Sequence, residues 1–241
     1  MTSSLSPKQN QILAGLPPTI YARLLPALEL VSLSGREEVY QLDTRITHLY
    51  FPVDCIIARL NVLQSGAAIR TSVTGNEGVV GVSYLLGNES TRARTVAISG
   101  GNAFRIKAPL IKKEFNSARA LRYVLLRFAH ALIMQMGHIA VGAREHTIIQ
   151  QLCHFLLMAL DRLPSNRLHI THRQLAIYLG ANRESITFAV QKLETTGAIQ
   201  RQRGQLTVVN RKELEDLVGQ SYAMVANEYR SLQHSIALHP D

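Results

Sequence analysis

The chain has 241 residues, of which 46% are hydrophobic, and carries a formal net charge of +9. This composition excludes a largely disordered chain, and the length allows one large domain or two modest ones. The basic charge points to a polyanionic partner. We expect no membrane association, because no basic amphipathic anchor and no uninterrupted apolar run of ~20 residues is evident. The polar N-terminus, MTSSLSPKQN, does not have the pattern of a signal peptide, which favours a cytoplasmic location.

The N-terminal part of the chain is predicted to be rich in β-strands. Residues 7 to 30 are expected to form short helices, which Pro17 and Pro18 interrupt. From Ser32 to Lys107, β-rich segments alternate with turn signals, and several short strands at this spacing predict a sandwich or barrel. The six segments are Val39–Leu42, His48–Phe51, Cys55–Leu63, Ala68–Val73, Thr95–Ile98 and Ala103–Ile106.

A long amphipathic helix is predicted from about Asn116. Its apolar positions recur at alternating spacings of four and three residues, as in a heptad repeat. The row consists of Leu121, Leu125, Phe128, Leu132, Gln135 and Ile139, and continues to Gly142 and His146. A core helix that packs on its own domain is the alternative interpretation. We expect a dimer seam instead, because about 28 residues reach roughly 40 Å, and Gln135 and His146 would then set its register.

The segment from Ile170 to Leu206 has the pattern of a helix-turn-helix. A further helix, Thr147 to Leu163, leads into it. Thr171 is a plausible N-cap of the first helix, and Gly180 suits a left-handed turn at its end. Asn182 is expected to cap a second helix, Arg183 to Thr195. The apolar stripe of that helix consists of Ile186, Ala189, Val190 and Leu193.

The opposite face of the second helix carries side chains suited to reading DNA bases. Arg183 can donate two hydrogen bonds to guanine, and Glu184 can accept from cytosine N4. Phe188 can touch a thymine methyl group, and Thr187 lies on the same face. A polar face near the start of the second helix is typical of a helix that enters the major groove.

A basic hairpin and an excess of positive charge accompany this helix. Ile199 to Val209 is predicted to form two strands, with Arg201 and Arg203 at the tip, where they would contact phosphates. From Pro164 to Lys212 there are eight basic residues against Glu184 and Glu194, a net charge of six. The eight are Arg167, Arg173, Arg183, Lys192, Arg201, Arg203, Arg211 and Lys212. This excess favours DNA binding over an ordinary helical hairpin with a solvated face.

The same segment resembles the winged-helix domain of the Crp–Fnr family of bacterial transcription regulators. The similar stretch is ITHRQLAIYLGANRESITFAVQKLETTGAI followed by RQRGQLTVV. The resemblance implies base contacts from Arg183 and Glu184, and phosphate contacts from Thr171, His172 and Ser185; Arg173 is a further phosphate candidate. Where the cyclic-AMP receptor branch has a second base-reading arginine, this chain has Phe188, so its DNA site should differ there.

The order of predicted elements also resembles that family. We expect an α+β protein with a β jelly-roll sensor domain similar to cyclic-nucleotide-binding domains (1–116) and a dimerisation helix (117–146). A winged helix-turn-helix domain (147–218) and a C-terminal helix and tail (219–241) follow. The C-terminal helix, Arg211 to Leu232, would cover the winged domain, and His234 to Asp241 would be frayed.

Residues 75 to 95 resemble the cassette that holds the cyclic phosphate in nucleotide-binding members of this fold. Gly78 and Gly81 match its glycines, but Val79 stands where the ribose-binding glutamate belongs. Arg92 and Arg94 could meet an anion, although neither falls at the usual spacing. Cyclic nucleotide is therefore disfavoured, and either a degenerate cassette or a different effector is expected, with no cofactor implied.

The remaining patterns do not indicate catalysis or a metal centre. Cys55 and Cys153 are too few for a metal cluster and are expected to be core residues. Four histidines recur every eight residues, too far apart for one metal within a chain: His130, His138, His146 and His154. We therefore predict a non-enzymatic homodimer that binds a palindromic DNA site, with RNA polymerase as a further partner. The alternative is a ligand-binding or adaptor protein whose basic surface meets RNA or an acidic protein.

Overall fold

A computed structural model describes residues 5–64 and 66–238 and shows a mixed α and β protein. Two short helices, α1 (Gln11–Ala14) and α2 (Pro18–Leu24), precede seven strands in two antiparallel sheets. The first sheet has the order β1-β7-β3 and the second β2-β6-β4-β5. The strands are β1 (Glu29–Leu33), β2 (Glu38–Tyr40), β3 (His48–Pro52), β4 (Ile56–Val62), β5 (Ala68–Thr74), β6 (Arg94–Ser99) and β7 (Gly101–Lys107).

All six predicted β segments overlap strands, and one further strand was missed. Residues up to 30 were expected to be helical, but Glu29 already belongs to β1, which pairs with β7. Pro26 lies in the 3₁₀ turn that follows α2, where its missing N–H prevents the helix from continuing. The predicted α+β class is confirmed.

The long helix packs on its own chain, and the predicted dimer seam is wrong. After α3 (Ala108–Ser117), helix α4 (Arg119–Glu145) lies across the second sheet and precedes α5 (Ile148–Leu160). Gln135 is fully buried: its amide accepts from Val73 N–H at 2.7 Å and donates to the Val73 carbonyl at 3.1 Å. The other seam residues are buried in this chain or, for Ile139, half-buried: Leu121, Leu125, Phe128, Leu132 and Ile139.

Helix α4 bears on the expectation of no membrane association. Within the described residues it is long and apolar enough to cross a bilayer by length and composition. Its apolar row, however, is buried against β5 and against the C-terminal helix. A core helix of a soluble protein passes the same composition test, and this packing is that of a core helix.

The helix-turn-helix forms as predicted, with one strand more in its wing. The elements are β8 (Arg167–His169), α6 (His172–Leu179), α7 (Arg183–Thr195), β9 (Ile199–Gln202) and β10 (Gln205–Val208). Thr171 caps α6 in a reciprocal capping box with Gln174, and Gly180 ends it in the left-handed conformation (φ 63°). The wing is a three-stranded sheet in the order β8-β10-β9, because β8 adds to the predicted hairpin.

The C-terminal segment departs from its prediction. The expected helix, Arg211 to Leu232, is two helices, α8 (Arg211–Val218) and α9 (Gln220–Leu238), separated at Gly219 with φ 65°. Helix α9 does not cover the winged part: it returns to α4, where the Tyr229 hydroxyl lies 2.8 Å from Gln135 Nε2. The predicted frayed tail, His234–Asp241, is helical as far as Leu238, and residues 239–241 lie outside the described residues.

Candidate nucleic-acid interface

Local capping and packing present the exposed face of α7. The side chain of Asn182 accepts a hydrogen bond from Ser185 N–H at 2.7 Å and starts the helix. Every member of the predicted apolar stripe is at most 1% exposed: Ile186, Ala189, Val190 and Leu193. Burying each larger aliphatic side chain contributes about 1.5–3 kcal/mol, which fixes the rotation of the helix. Arg183, Glu184 and Phe188, the last 61% exposed, therefore face solvent together.

A groove of about 320 Å³ joins the start of α6, the start of α7 and the turn of the wing. Six of the predicted contact residues line it: Thr171, His172, Arg173, Arg183, Arg201 and Arg203. The four others, Glu184, Ser185, Thr187 and Phe188, follow on α7 next to the groove. The turn between β9 and β10 contains Gly204 with φ 73°, a conformation that favours glycine. The fold thus gathers all ten residues on one surface, while their contacts with DNA remain a prediction.

One pair of side chains within this surface is already engaged. The Thr187 hydroxyl donates to the Arg183 carbonyl at 2.9 Å, which uses its only proton. Nδ1 of His172 lies 3.0 Å from the Thr187 hydroxyl oxygen and must therefore be the donor in that contact. Burial, followed by Arg201 and Arg183, lowers the pKa of His172, so its ring is neutral near pH 7. A neutral ring of this tautomer presents an acceptor, and His172 attracts phosphate through its ring only when protonated.

The local charge excess is smaller than the sequence count. Arg211 pairs with Asp161 and Glu215, each at 2.8 Å, and Lys212 pairs with Asp216. Arg201 lies 3.5 Å from Glu194. Five of the eight basic residues have no ion pair within the described residues: Arg167, Arg173, Arg183, Lys192 and Arg203. The acidic residues just outside the counted segment explain the difference, and the field at the groove comes mainly from Arg173, Arg183 and Arg203.

The β domain contains a cavity of about 360 Å³ between the second sheet and α4. Its walls are mostly apolar, with hydroxyl groups from strands β5 and β6. Arg59 of β4 is its one cationic lining residue, and no salt bridge joins it to a carboxylate within the described part of the chain. Sequence reasoning missed Arg59; the signal was a lone cation in the otherwise apolar run IIARLNV.

Most of the predicted effector residues lie away from this cavity. Of the four, only Gly81 lines it. Gly78 lies under the ring of Phe128, so that a Cβ there would overlap the ring. Arg92 is exposed, and Arg94 forms an ion pair with Glu38. Gly78, Arg92 and Arg94 therefore do not line this cavity, and an effector role for them stays a prediction.

The cysteines are buried thiols. Burial raises the pKa of Cys55 and that of Cys153 to about 12, so neither forms a thiolate near neutral pH. Among residues 5–64 and 66–238, no group of three His, Cys, Asp or Glu side chains is arranged to hold a metal ion.

A buried ion pair joins the β domain to the helices that carry the groove. Glu77, in the loop after β5, accepts from Arg162 Nε at 2.7 Å, and the two side chains are 8% and 3% exposed. Arg162 follows α5, donates to the Met158 carbonyl at 2.7 Å, and lies over the ring of Tyr229 from α9. Burial, the largest single cause, lowers the pKa of Arg162, but Glu77, Tyr229 and Asp161 together more than offset it, so the net shift is upward.

Comparison with known proteins shows one matching domain and several chains of similar fold. Residues 150–217 match the model of the Crp-like helix-turn-helix domain. FixK2 from Bradyrhizobium japonicum is 20% identical, with a TM-score of 0.68 over 80% of this chain and 98% of its own. TTHB099, a CRP-family transcriptional regulator from Thermus thermophilus, is 14% identical, with a TM-score of 0.66 over 78% and 96%. The c-di-GMP-responsive regulator CLP from Xanthomonas campestris is 13% identical, with a TM-score of 0.62 over 79% and 98%. No curated protein sequence matches the chain.

Proposed function

We propose that this protein is a sequence-specific DNA-binding transcription regulator of the cytoplasm. The premise is that residues 150–217 match the Crp-like helix-turn-helix domain and that the chain has a Crp/Fnr-type fold. The observation that carries the proposal is the groove in which the first turns of α6 and α7 meet the arginines of the wing. Arg183 and Glu184 would read one G·C pair, and Arg203 would contact phosphate. Regulation is exerted by binding and not by catalysis.

Two variants separate base reading from phosphate binding. Arg183→Ala should weaken binding by about 1–3 kcal/mol and relax the preference at one position of each half-site. Arg203→Ala should weaken all duplexes alike and reduce the salt slope by about one. Arg144→Ala, on the exposed end of α4, is the matched control and should change neither quantity. An Arg183→Ala protein with unchanged affinity and motif would contradict the assignment, and a preference for RNA would favour an adaptor.

We propose a homodimer whose seam is the exposed face of α4. With the predicted row buried, a second row faces solvent with the same alternation of three and four residues: Leu126, His130, Ile133, Gly137 and Ala140. Leu126 is 45% and Ile133 63% exposed, and Val141 beside them is 58% exposed. Leu126, Ile133 and Val141 are large apolar side chains, and the small residues Gly137 and Ala140 allow a close approach, which suits a two-helix contact. His130, between Leu126 and Ile133, pairs with Glu228 of α9 at 3.1 Å. Such a dimer would place two copies of α7 on a palindromic site.

The oligomeric state tests this seam. Ile133→Glu should convert the dimer to a monomer in sedimentation velocity, because two carboxylates would meet at the axis. Met224→Glu is the matched control, since Met224 is 56% exposed but lies on α9 outside the row. A dimer that survives Ile133→Glu, or that is lost equally with Met224→Glu, would place the interface elsewhere.

We propose that the cavity beneath α4 accepts an amphipathic organic anion as effector. Arg59 would bind the charged group, while Ile57, Leu132 and Met136 would contact an apolar body. The features do not favour a cyclic nucleotide, because Val79 is 1% exposed and offers no acceptor to a ribose. The cavity wall includes four residues of α4, so that occupancy would act on the helix proposed to form the dimer.

A pair of probes distinguishes charge from hydrophobicity in this cavity. In isothermal titration octanoate should bind, and octanol should bind at least about tenfold more weakly. The difference in affinity comes from the charged hydrogen bonds that only the carboxylate accepts from Arg59. Arg59→Met should abolish the preference, and Arg45→Met, whose side chain is 73% exposed, should preserve it. Equal binding of the two probes would contradict the role of Arg59.

A further inference from the structure

Arg70 is a buried cation, and two of its three side-chain nitrogens lack acceptors. It lies on β5 and is 3% exposed, and neither Nε nor Nη1 has a hydrogen-bond partner among the described residues. The ring of Phe155, 5.1 Å from its Cζ atom, offers a π face but no lone pair. Buried guanidinium groups normally have acceptors for their N–H donors. An acceptor from outside the chain would remedy this deficit.

A small cavity beside Arg70 has room for such an acceptor. Its volume is about 30 Å³, which exceeds the ~10–15 Å³ that one water needs. His138, His146 and His154 line it together with Arg70. A Cβ at Gly142 would lie 3.1 Å from His146 Nδ1, so the glycine leaves room for this ring. Three of the four histidines that lie eight residues apart therefore do come together, because the chain turns after α4.

The electrostatics of the cavity select a negative occupant. No carboxylate is among the described residues that line it, and the charged group that acts on Arg70 is a second cation, Arg162, which is itself paired with Glu77. Burial, then Arg70, lowers the pKa of His154 to about 3, so this ring stays neutral near pH 7. Burial lowers the pKa of Arg70 only to about 10, so its guanidinium remains charged. A water could accept from these donors but would leave the charge uncompensated, whereas an anion would also compensate the buried charge.

We propose that this cavity binds one small inorganic anion, of the size of chloride or nitrate, through Nε and Nη1 of Arg70. The volume excludes nucleotides and sugar phosphates. The lining residues come from β5, α4, α5 and α6, so the anion bridges the β domain and the helix-turn-helix. Its occupancy should stabilise the docking of α6 on β5, where Gly180 lies against Ile69. This site shares no lining residue with the effector cavity or with the groove at the start of α7.

Bromide provides a direct test, because its anomalous scattering distinguishes it from water. Crystals of the full chain grown without halide and soaked in sodium bromide should show an anomalous peak within about 3.5 Å of Arg70 Nε or Nη1. A water at this position, with bromide only on the surface, would overturn the proposal.

Thermal unfolding in solution gives a second, independent readout. At constant ionic strength, with gluconate as the balancing anion, raising chloride from about 1 to about 100 mM should raise Tm by at least about 4 °C. Arg70→Met, which keeps the length of the side chain, should lose this increase, while Arg144→Met on the surface should retain it. An Arg70→Met protein with an undiminished chloride effect would contradict the site.

Discussion

The buried pair of Glu77 and Arg162 should contribute strongly to stability, and Glu77→Gln tests it. The substitution keeps an acceptor for Gly75 N–H, which donates to Glu77 Oε2 at 3.0 Å, but removes the negative charge. Arg162 would then be a cation that is 4% exposed, with Nη2 already lacking a partner. Leaving one member of a buried pair uncompensated costs about 3–5 kcal/mol. For a chain of this length, that corresponds to a decrease in Tm of roughly 6–20 °C.

Urea unfolding of four proteins would isolate the charge effect. Glu77→Gln combined with Arg162→Met removes both charges, and it should recover most of the loss that Glu77→Gln causes alone. Glu89→Gln is the exposed control: Glu89 pairs with Arg45 at 2.9 Å, but both are more than half exposed, so its loss should stay below about 1 kcal/mol. A Glu77→Gln cost as small as that of Glu89→Gln would refute the argument.

Three further outcomes are expected. Gly78→Ala should lower the free energy of unfolding in urea by about 1–3 kcal/mol, because the added Cβ overlaps the buried ring of Phe128. If the losses from Gly78→Ala and Phe128→Leu were additive in the double variant, this contact would be contradicted. His154 has a pKa of about 3 in the folded protein against 6.5 in the unfolded chain, so the free energy of unfolding should fall as pH drops below about 6.5. His154→Phe should make this free energy less dependent on pH when unfolding is measured from about pH 7 to about pH 4. DNA affinity should increase from pH 8 to 6 more in the wild type than in His172→Gln, because phosphate binds the protonated ring; parallel pH profiles in fluorescence anisotropy would exclude that role.

The helix-turn-helix was predictable because the residues that determine it act locally. Thr171, Gly180 and Asn182 act on the turns next to them, and the stripe from Ile186 to Leu193 follows from helical spacing alone. The same reasoning missed β8, since a three-residue strand has too few residues to show alternation, and it forms only by pairing with β10.

The face of α4 was mispredicted because the helix has two apolar rows. Both the row with Leu125 and the row with Ile133 repeat at heptad spacing, and periodicity does not reveal which one meets the β domain. Length favoured a seam, but α9 supplies the extra partner that buries the first row, through Tyr229 and Gln135. That return of α9 depends on the break at Gly219 and on contacts distant in sequence, which local patterns do not encode.

Three of the four predicted effector residues lie outside the cavity for a related reason. The cassette resemblance drew attention to Arg92 and Arg94, but a charged side chain in a loop is free to turn toward solvent or toward a carboxylate such as Glu38. Arg59 is held by its strand in a position that lines the cavity. A lone cation within an apolar strand was the more informative signal.

Selection of the full-length protein on random duplex DNA tests the central claim most directly. The account predicts an enriched motif with two-fold symmetry, whose half-sites are centred about one helical turn apart. In that motif, a G·C pair read by Arg183 and Glu184 should become degenerate when the selection is repeated with Arg183→Ala. Absence of enrichment, or an enriched motif without two-fold symmetry, would contradict a dimeric regulator that reads DNA through α7.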